Sequence, residues 1–310
     1  MKHIMIQNFG IGCLKKNNVS LKEHSIMKKI LCLTILILLS CIQTYANENY
    51  KHLIKEYRFK CDSITDIEGT INYCERLINP IKFGKPSLAL VLHSGKEKGA
   101  EGKNLSAPAV KSLIEYAIKT RKKVLIIVPH YPFEPGEYSY MSNALVMRIV
   151  KDKVNKYSIP QKKRYIIGAS FGGSAAYSII HHNKNFFKNA LIVSFANDYS
   201  NEVFKNTNVY YIAGDKDKKI SLAVKKSIES LKSNKKISVK YNIFKNKNHI
   251  EAMNSAYTDD VWDWLFDTPS TYKKQTVTNK IFTAILACLG IILLLLLLYK
   301  IATHIGRKKS

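Results

Sequence analysis

Ser170 lies in the stretch GASFGG, residues 168–173, where an apolar run gives way to small residues. In the spacing G-x-S-x-G, a serine occupies a sharp turn between a strand and a helix, and the glycines keep the two elements from colliding. Such a turn exposes the serine hydroxyl at the edge of a sheet, so Ser170 is a candidate nucleophile. A helix N-cap or a phosphate-binding loop would use similar residues, but neither G-x-G-x-x-G nor a terminal Lys-Ser or Lys-Thr pair is present.

A nucleophilic serine of this type requires a carboxylate and then a histidine, each placed after a later strand. The β-rich run Val239–Phe244 is followed by His249 in a loop rich in lysine. We therefore predict that His249 takes the proton from the Ser170 hydroxyl; a plain surface position is the alternative. The other candidate histidines occupy less suitable positions in the chain: His93, His130, His181 and His182.

The carboxylate that orients the imidazole is predicted to be Asp217. The β-rich run Val209–Ala213 leads into Gly214-Asp215-Lys216-Asp217, and a turn after the glycine places the third residue over the site. Asp215 is the second candidate, and Asp198, after the preceding strand, is the third.

Two backbone N–H groups are expected to stabilise the negative charge that develops on the substrate oxygen. One belongs to Phe171, the residue after the serine, and the other to the loop after the first apolar strand, where we place it at Ser94. Losing one such donor typically costs about 10²–10³ in rate.

Elements of two kinds alternate along residues 57–266 and would bring these groups together. The predicted strands are Tyr57–Cys61, Ile71–Ile78, Leu88–Leu92, Lys123–Val128, Tyr165–Ile167, Ala190–Phe195, Val209–Ala213 and Val239–Phe244. Helical patterns lie near 107–119, 141–156, 173–183, 219–232 and 257–266. This alternation predicts an α/β domain, 47–266, with a mostly parallel sheet, helices on both faces and an N-terminal β-hairpin.

The ordered motifs together resemble the α/β-hydrolase superfamily, in the branch of predicted peptidases, polyhydroxybutyrate-depolymerase-like enzymes and feruloyl-type esterases. The matching segments are residues 92–99 (LHSGKEKG), 129–132 (PHYP), 168–173, 214–217 (GDKD), 248–249 (NH) and 262–265 (WDWL). Ser94, Lys96 and Asn248 stand where the family has glycines. The resemblance implies a Ser-Asp-His triad that needs no metal or cofactor, acting on ester or peptide bonds.

A secretory signal precedes this domain, within residues 1–46. From Met27, the expected start, Lys28 and Lys29 are followed by the apolar run 30–39 and a small-residue cleavage pattern that ends at Ala46. The stretch LLSC offers a second interpretation, in which Cys41 is the lipidated residue of a bacterial lipoprotein.

A membrane anchor is predicted at 281–299, after a polar stalk at 267–280. The 19 apolar residues would span roughly 28 Å as a helix, close to the thickness of the hydrocarbon core. The basic tail 300–310 would stay in the cytoplasm, because positive charge is retained on that side. The domain is therefore expected outside a bacterial cytoplasmic membrane, in the periplasm or the extracellular space.

Only Cys61 and Cys74 fall in the predicted domain. The turn sequence Asp66-Ile67-Glu68-Gly69 lies midway between them, so a hairpin closed there sets the two cysteines opposite each other. We predict a cross-strand disulfide; two buried free thiols are the alternative.

The net charge of +26 does not indicate a nucleic-acid-binding protein. Only six of the 49 basic residues are arginine, and the lysines are spread over nearly all segments rather than gathered in one stripe. The sequence therefore predicts a membrane-anchored serine hydrolase with a small-molecule ester as substrate. A peptidase of the same mechanism, or a non-catalytic binding protein on a hydrolase scaffold, is the alternative.

Overall fold

A computed structural model describes residues 50–67, 69–98, 101–131, 140–197 and 199–267, together with residues 29, 32 and 33. Its centre is an eight-stranded sheet in the order β1-β2-β4-β3-β5-β6-β7-β8. The strands are β1 (Lys60–Asp66), β2 (Gly69–Ile78), β3 (Ser87–Leu92), β4 (Val124–His130), β5 (Arg164–Ala169), β6 (Asn189–Val193), β7 (Asn208–Gly214) and β8 (Val239–Phe244).

The sheet is parallel from β4 to β8 and antiparallel at β2, which pairs with both β1 and β4. Strands β3 to β7 consist almost wholly of apolar residues, and nearly all are buried. Continuous apolar runs of this kind are typical of parallel strands covered on both faces. The predicted mostly parallel sheet with an N-terminal hairpin is thus confirmed.

Helices cover both faces of the sheet, as predicted. They are α1 (50–56), α2 (Pro108–Lys119), α3 (Tyr140–Lys156), α4 (Phe171–His182), α5 (Ser200–Val203), α6 (Lys218–Leu231), α7 (His249–Ser255) and α8 (Asp259–Leu265). One apolar core lies between the sheet and α3, α4 and α6. The other lies between the sheet and α2 and α8, where Trp262 Nε1 donates to Ser112 Oγ at 2.9 Å.

Two predicted boundaries are wrong. The first strand begins at Lys60 rather than Tyr57, because α1 precedes it and Arg58 leaves that helix with a φ of 51°. The last predicted helix, 257–266, corresponds to α8 alone. A separate helix that was not predicted, α7, precedes it and begins at the predicted catalytic histidine.

A disulfide joins Cys61 and Cys74. The two residues lie directly opposite each other in the β1–β2 register, with their Cα atoms 4.0 Å apart, and Asp66 pairs with Gly69 at the turn. The position of the turn in the sequence therefore identified the correct pair.

The predicted signal segment and the predicted anchor at 281–299 lie outside the described residues. Within the described ranges, no helix is both long enough and apolar enough to cross a bilayer.

Candidate active site

Ser170 occupies the turn between β5 and α4, at the carboxyl edge of the parallel strands. Its φ of 52° and ψ of −115° place it in a region that residues with a side chain rarely adopt. The turn is this sharp because glycines flank it: a Cβ atom at Gly168 would lie 2.3 Å from the Gly172 carbonyl oxygen, and one at Gly172 would lie 2.1 Å from that of Leu92. No larger residue is compatible with these contacts.

Three side chains form one hydrogen-bonded row across this edge. His249 Nε2 lies 3.0 Å from Ser170 Oγ, and His249 Nδ1 lies 2.5 Å from Asp217 Oδ2. Because the carboxylate can only accept, Nδ1 carries the proton, which leaves Nε2 to accept from the serine hydroxyl. The structure therefore brings together the three residues that the sequence analysis selected for a triad.

Asp217 is held on both of its oxygens. While Oδ2 accepts from His249, Oδ1 accepts from the Ile220 N–H at 3.4 Å and caps the N-terminus of α6. The side chain is only 16% exposed, against 35% for that of His249. The acid is thus fixed by the start of a helix as well as by its partner.

Main-chain contacts fix the distance between the acid and the histidine. The Lys216 N–H donates to the Lys247 carbonyl oxygen at 3.0 Å, which ties the loop after β7 to the loop after β8. The loops approach so closely that a Cβ atom at Gly214 would lie 2.1 Å from the same oxygen. This contact explains why the GDKD segment begins with glycine.

His249 is the first residue of α7, and a capping box sets this helix end. Asn248 Oδ1 accepts from the Glu251 N–H at 3.0 Å, and Glu251 Oε2 accepts from the Asn248 N–H at 2.8 Å. With a φ of −84°, Asn248 needs no glycine-like conformation. Ser194 Oγ, at the end of β6, also donates to the His249 carbonyl oxygen at 3.1 Å.

None of the other acid and base candidates that the structure describes belongs to this hydrogen-bonded row. Asp215 is exposed, and Asp198 lies outside the described residues. His181 and His182 form the C-terminal end of α4, at the opposite edge of the sheet, and His130 ends β4.

The assignment of Ser94 as an oxyanion donor requires correction. Its N–H donates to Glu97 Oε2 at 2.9 Å, and its hydroxyl donates to the same oxygen at 2.6 Å, in a capping box around the short turn Gly95–Glu97. The Lys96 and Glu97 N–H groups donate within this turn as well. Among the N–H groups of the turn, that of Gly95 is therefore the remaining candidate donor.

Gly95 lies against the residue after the serine. A Cβ atom at Gly95 would be 2.4 Å from Cδ2 of Phe171, so the ring covers this glycine closely. Phe171 opens α4, where the first N–H groups of a helix point out of its end. The N–H groups of Phe171 and Gly95 thus belong to two segments that meet beside Ser170.

His93 supports the loop that carries Gly95. The ring is buried, with Nδ1 donating to the Ser94 carbonyl oxygen at 2.8 Å and Nε2 accepting from the Tyr131 N–H at 3.3 Å. Burial, opposed by the hydrogen bond to the Ser94 carbonyl oxygen and reinforced by nearby His130, lowers the pKa of His93 to about 4. This supporting role of His93 was not predicted from the sequence, where the only signal for it is a histidine directly after a buried apolar strand.

No metal site is evident in the part of the chain that the structure describes, where no three His, Cys, Asp or Glu side chains converge. The residues that directly follow Ser170 and His249 in the chain are apolar and partly exposed. Phe171 and Ile250, which follow the serine and the histidine directly, are 43% and 41% exposed.

The solved structures that match this chain include esterases and other hydrolases. A thermostable esterase matches with a TM-score of 0.54 and 19% identity, over 67% of this chain and 62% of that one, so the chain spans less than two thirds of its length. A feruloyl esterase module from Clostridium thermocellum matches with a TM-score of 0.53 and 14% identity, over 68% of this chain and 89% of the module. A dienelactone hydrolase from Anabaena variabilis matches with a TM-score of 0.51 and 12% identity, over 67% of this chain and 96% of that one.

No protein-family model matches the chain, and no curated protein matches it in sequence. The structural matches show that the chain has the α/β-hydrolase fold, as its motifs predicted.

Proposed function

We propose that this chain is a membrane-anchored serine hydrolase that cleaves carboxylic esters outside the cytoplasmic membrane. One observation carries the proposal: the unbroken row of hydrogen bonds from Ser170 through His249 to Asp217, with the serine in a strained turn at the carboxyl edge of the sheet. A serine that served only as a helix cap would need neither partner, and its side chain makes no capping bond here.

The geometry supports a two-step acyl transfer. Ser170 Oγ attacks the carbonyl carbon while His249 Nε2 takes the hydroxyl proton, and the Asp217 carboxylate stabilises the imidazolium through Nδ1–H. When the tetrahedral adduct collapses, the ester C–O bond breaks and Nε2 returns the proton to the departing alkoxide. A water molecule, deprotonated by the same nitrogen, then releases the acid and restores the serine.

The oxyanion of each adduct is stabilised by the N–H groups of Phe171 and Gly95 in this proposal. Both segments are fixed before substrate binds, one by the start of α4 and the other by the Ser94–Glu97 capping box of the turn after β3. Donors that are fixed before the reaction contribute most, because they need no reorganisation as charge develops.

Proteins of similar structure support the proposed substrate class. The matched proteins act as an esterase, a feruloyl esterase and a dienelactone hydrolase, which favours a small ester over a peptide. The location is proposed from the sequence, and the Cys61–Cys74 disulfide supports it, since such bonds persist in oxidising compartments.

A fluorophosphonate probe on the full chain, purified in mild detergent, tests the proposal. Labelling is expected for the wild type and for Ser178→Ala, a serine two turns further along α4, and should disappear in Ser170→Ala. Absence of labelling in the wild type at neutral pH would instead indicate a binding protein on this scaffold. Parallel panels of p-nitrophenyl esters, feruloyl esters and peptides then separate an esterase from a peptidase.

A further inference from the structure

A loop with two fully exposed apolar side chains lies at the edge of the sheet opposite Ser170. In the β2–β3 connection, residues 79–86, Ile81 is 95% exposed and Phe83 is 101% exposed. The loop is fixed at its base, where Asn79 Nδ2 donates to the carbonyl oxygens of Ala117 at 3.2 Å and Lys122 at 2.8 Å. Its tip therefore presents two large apolar groups to the surroundings from an ordered base.

Cationic side chains surround this loop. Three of their ammonium groups donate to backbone carbonyl oxygens. Lys82 donates to the oxygen of Arg121 at 2.6 Å, Lys123 to that of Lys82 at 2.8 Å and Lys163 to that of Lys85 at 2.9 Å. We define the basic edge as loop 79–86 together with Arg121, Lys122, Lys123, Lys162 and Lys163.

The charges of the basic edge are close enough to repel one another. The pKa of Lys122 is lowered mainly by burial and further by Lys82 and Lys163, while Asp263 acts in the opposite direction. Repulsion among like charges costs stability in isolation and is relieved by an anionic partner.

A groove continues the basic edge beyond Ile81. It has a volume of about 760 Å³, and its lining includes four cations, Arg58, Lys60, Arg76 and Lys156. The acid that lines it, Glu75, is already paired with Lys153 at 2.7 Å. The groove thus offers positive charge beside an exposed apolar tip.

The described chain also ends at this edge. Asn189 Nδ2, at the start of β6, donates to Asp267 Oδ1 at 3.2 Å, and the Lys122 ammonium lies 5.6 Å from the centre of the Phe266 ring. Thirteen residues separate Asp267 from the predicted anchor at 281–299. Fully extended they reach roughly 43 Å, so they allow the edge to touch the bilayer from which the anchor emerges.

We propose that the basic edge docks on an anionic membrane surface, with Ile81 and Phe83 at the boundary between headgroups and acyl chains. Lysines near such a surface are attracted to anionic lipids, and apolar groups flanked by them enter the interface. An anionic polymer would engage the charges but would leave both apolar side chains in water, which favours a lipid surface.

Docking by this edge fixes the direction in which the active site faces. Ser170 follows β5, whose six residues span about 20 Å from the basic edge to the carboxyl edge. The serine then opens away from the bilayer, and its substrates come from the aqueous side rather than from the lipids.

Tryptophan fluorescence of the full chain in vesicles tests this orientation. Phe83→Trp is compared with the wild type, which supplies the signal of Trp262 and Trp264, and with Leu222→Trp, an exposed position on α6. The vesicles contain acyl-brominated phosphatidylcholine, with or without 30% phosphatidylglycerol. Only Phe83→Trp is expected to show additional quenching, and more strongly with the anionic lipid.

Charge variants test the electrostatic part. Lys85→Gln with Lys162→Gln should shift the docking equilibrium of Phe83→Trp about 25-fold towards the undocked state, about fivefold per lysine. Lys225→Gln with Lys226→Gln on α6 makes the same charge change away from the edge and should leave quenching unchanged.

Three results would overturn the proposal. They are quenching of Phe83→Trp no greater than that of the wild type in anionic vesicles, equal quenching of Phe83→Trp and Leu222→Trp, and a response of the Phe83→Trp emission to polyphosphate but not to vesicles. None depends on hydrolase activity. If the predicted anchor does not hold the chain, flotation with anionic vesicles that is reversed by salt and weakened by Lys85→Gln with Lys162→Gln, but not by Lys225→Gln with Lys226→Gln, would still support docking by this edge.

Discussion

Replacing Asp217 by asparagine tests whether this carboxylate sets the proton position on His249. Asparagine keeps one carbonyl oxygen, which can still cap α6 through the Ile220 N–H, and turns its amide NH₂ towards His249 Nδ1. Nδ1 must then accept, so the proton moves to Nε2. That nitrogen lies 3.0 Å from Ser170 Oγ and could no longer take its proton.

The expected loss is on the order of 10⁴ in kcat, as for the same exchange in a Ser-His-Asp triad, with KM nearly unchanged. That factor corresponds to about 5.5 kcal/mol of transition-state stabilisation. Since the helix cap is retained, thermal unfolding of the variant should match the wild type. Asp217→Ala removes the cap as well and should also cost about 1 kcal/mol of stability.

Steady-state hydrolysis of a p-nitrophenyl ester by the full chain, with the rate of fluorophosphonate labelling, measures the effect. Asp215→Asn is the matched control, because it makes the same change two residues away at an exposed position, and its activity should stay within twofold. Retention of more than a tenth of wild-type activity by Asp217→Asn would refute the assignment of Asp217. A large loss in Asp215→Asn would transfer the role to that residue.

Two further predictions concern the surroundings of the hydrogen-bonded row, and a third concerns the disulfide of the N-terminal hairpin. Gly95→Ala should lower kcat about 10²–10³-fold, because its Cβ would overlap the Phe171 ring, and adding Phe171→Ala should restore most of the rate; no recovery would contradict this steric reason. Because the pKa of His93 is lowered in the folded protein, its imidazole takes up a proton more readily in the unfolded chain. The free energy of unfolding should therefore fall by about 3 kcal/mol as the pH drops from 6.5 to about 4, and the thermal midpoints of His93→Asn should lack this pH dependence. Exchange of Cys61 and Cys74 for serine should cost up to about 3 kcal/mol of stability in thermal unfolding and leave hydrolysis of the ester intact, whereas alkylation of Cys61 and Cys74 themselves without reductant, located by peptide mapping, would argue against the bond.

The main elements of the fold could be predicted from the sequence because apolar strands and amphipathic helices alternate cleanly along it. The three residues of the hydrogen-bonded row could be selected for a related reason: the carboxyl ends of parallel strands meet at one edge, so Ser170, Asp217 and His249 each follow a strand that ends there. Spacing along the chain was sufficient for both inferences.

The candidate oxyanion donor in the loop after β3 was harder to predict, because it depends on which N–H groups of the loop already donate to a side chain. Ser94 was chosen by its position in the motif, but Glu97 turns back and accepts from it. In the sequence, the only sign of this capping box is a serine followed three residues later by a glutamate. The helix that begins at His249 was missed for a similar reason, since the paired caps of Asn248 and Glu251 define a segment of only seven residues.

The contact between the loops after β7 and β8 has a consequence for sequence divergence. Lys216 and Lys247 hold the acid beside the base through the N–H group of the first and the carbonyl oxygen of the second; any residue supplies the oxygen, and any residue except proline supplies the N–H. Their side chains are therefore open to substitution, provided that Gly214 leaves room for the crossing. A site built in this way tolerates extensive drift around a few fixed positions, in keeping with a shared fold at 19% identity or less.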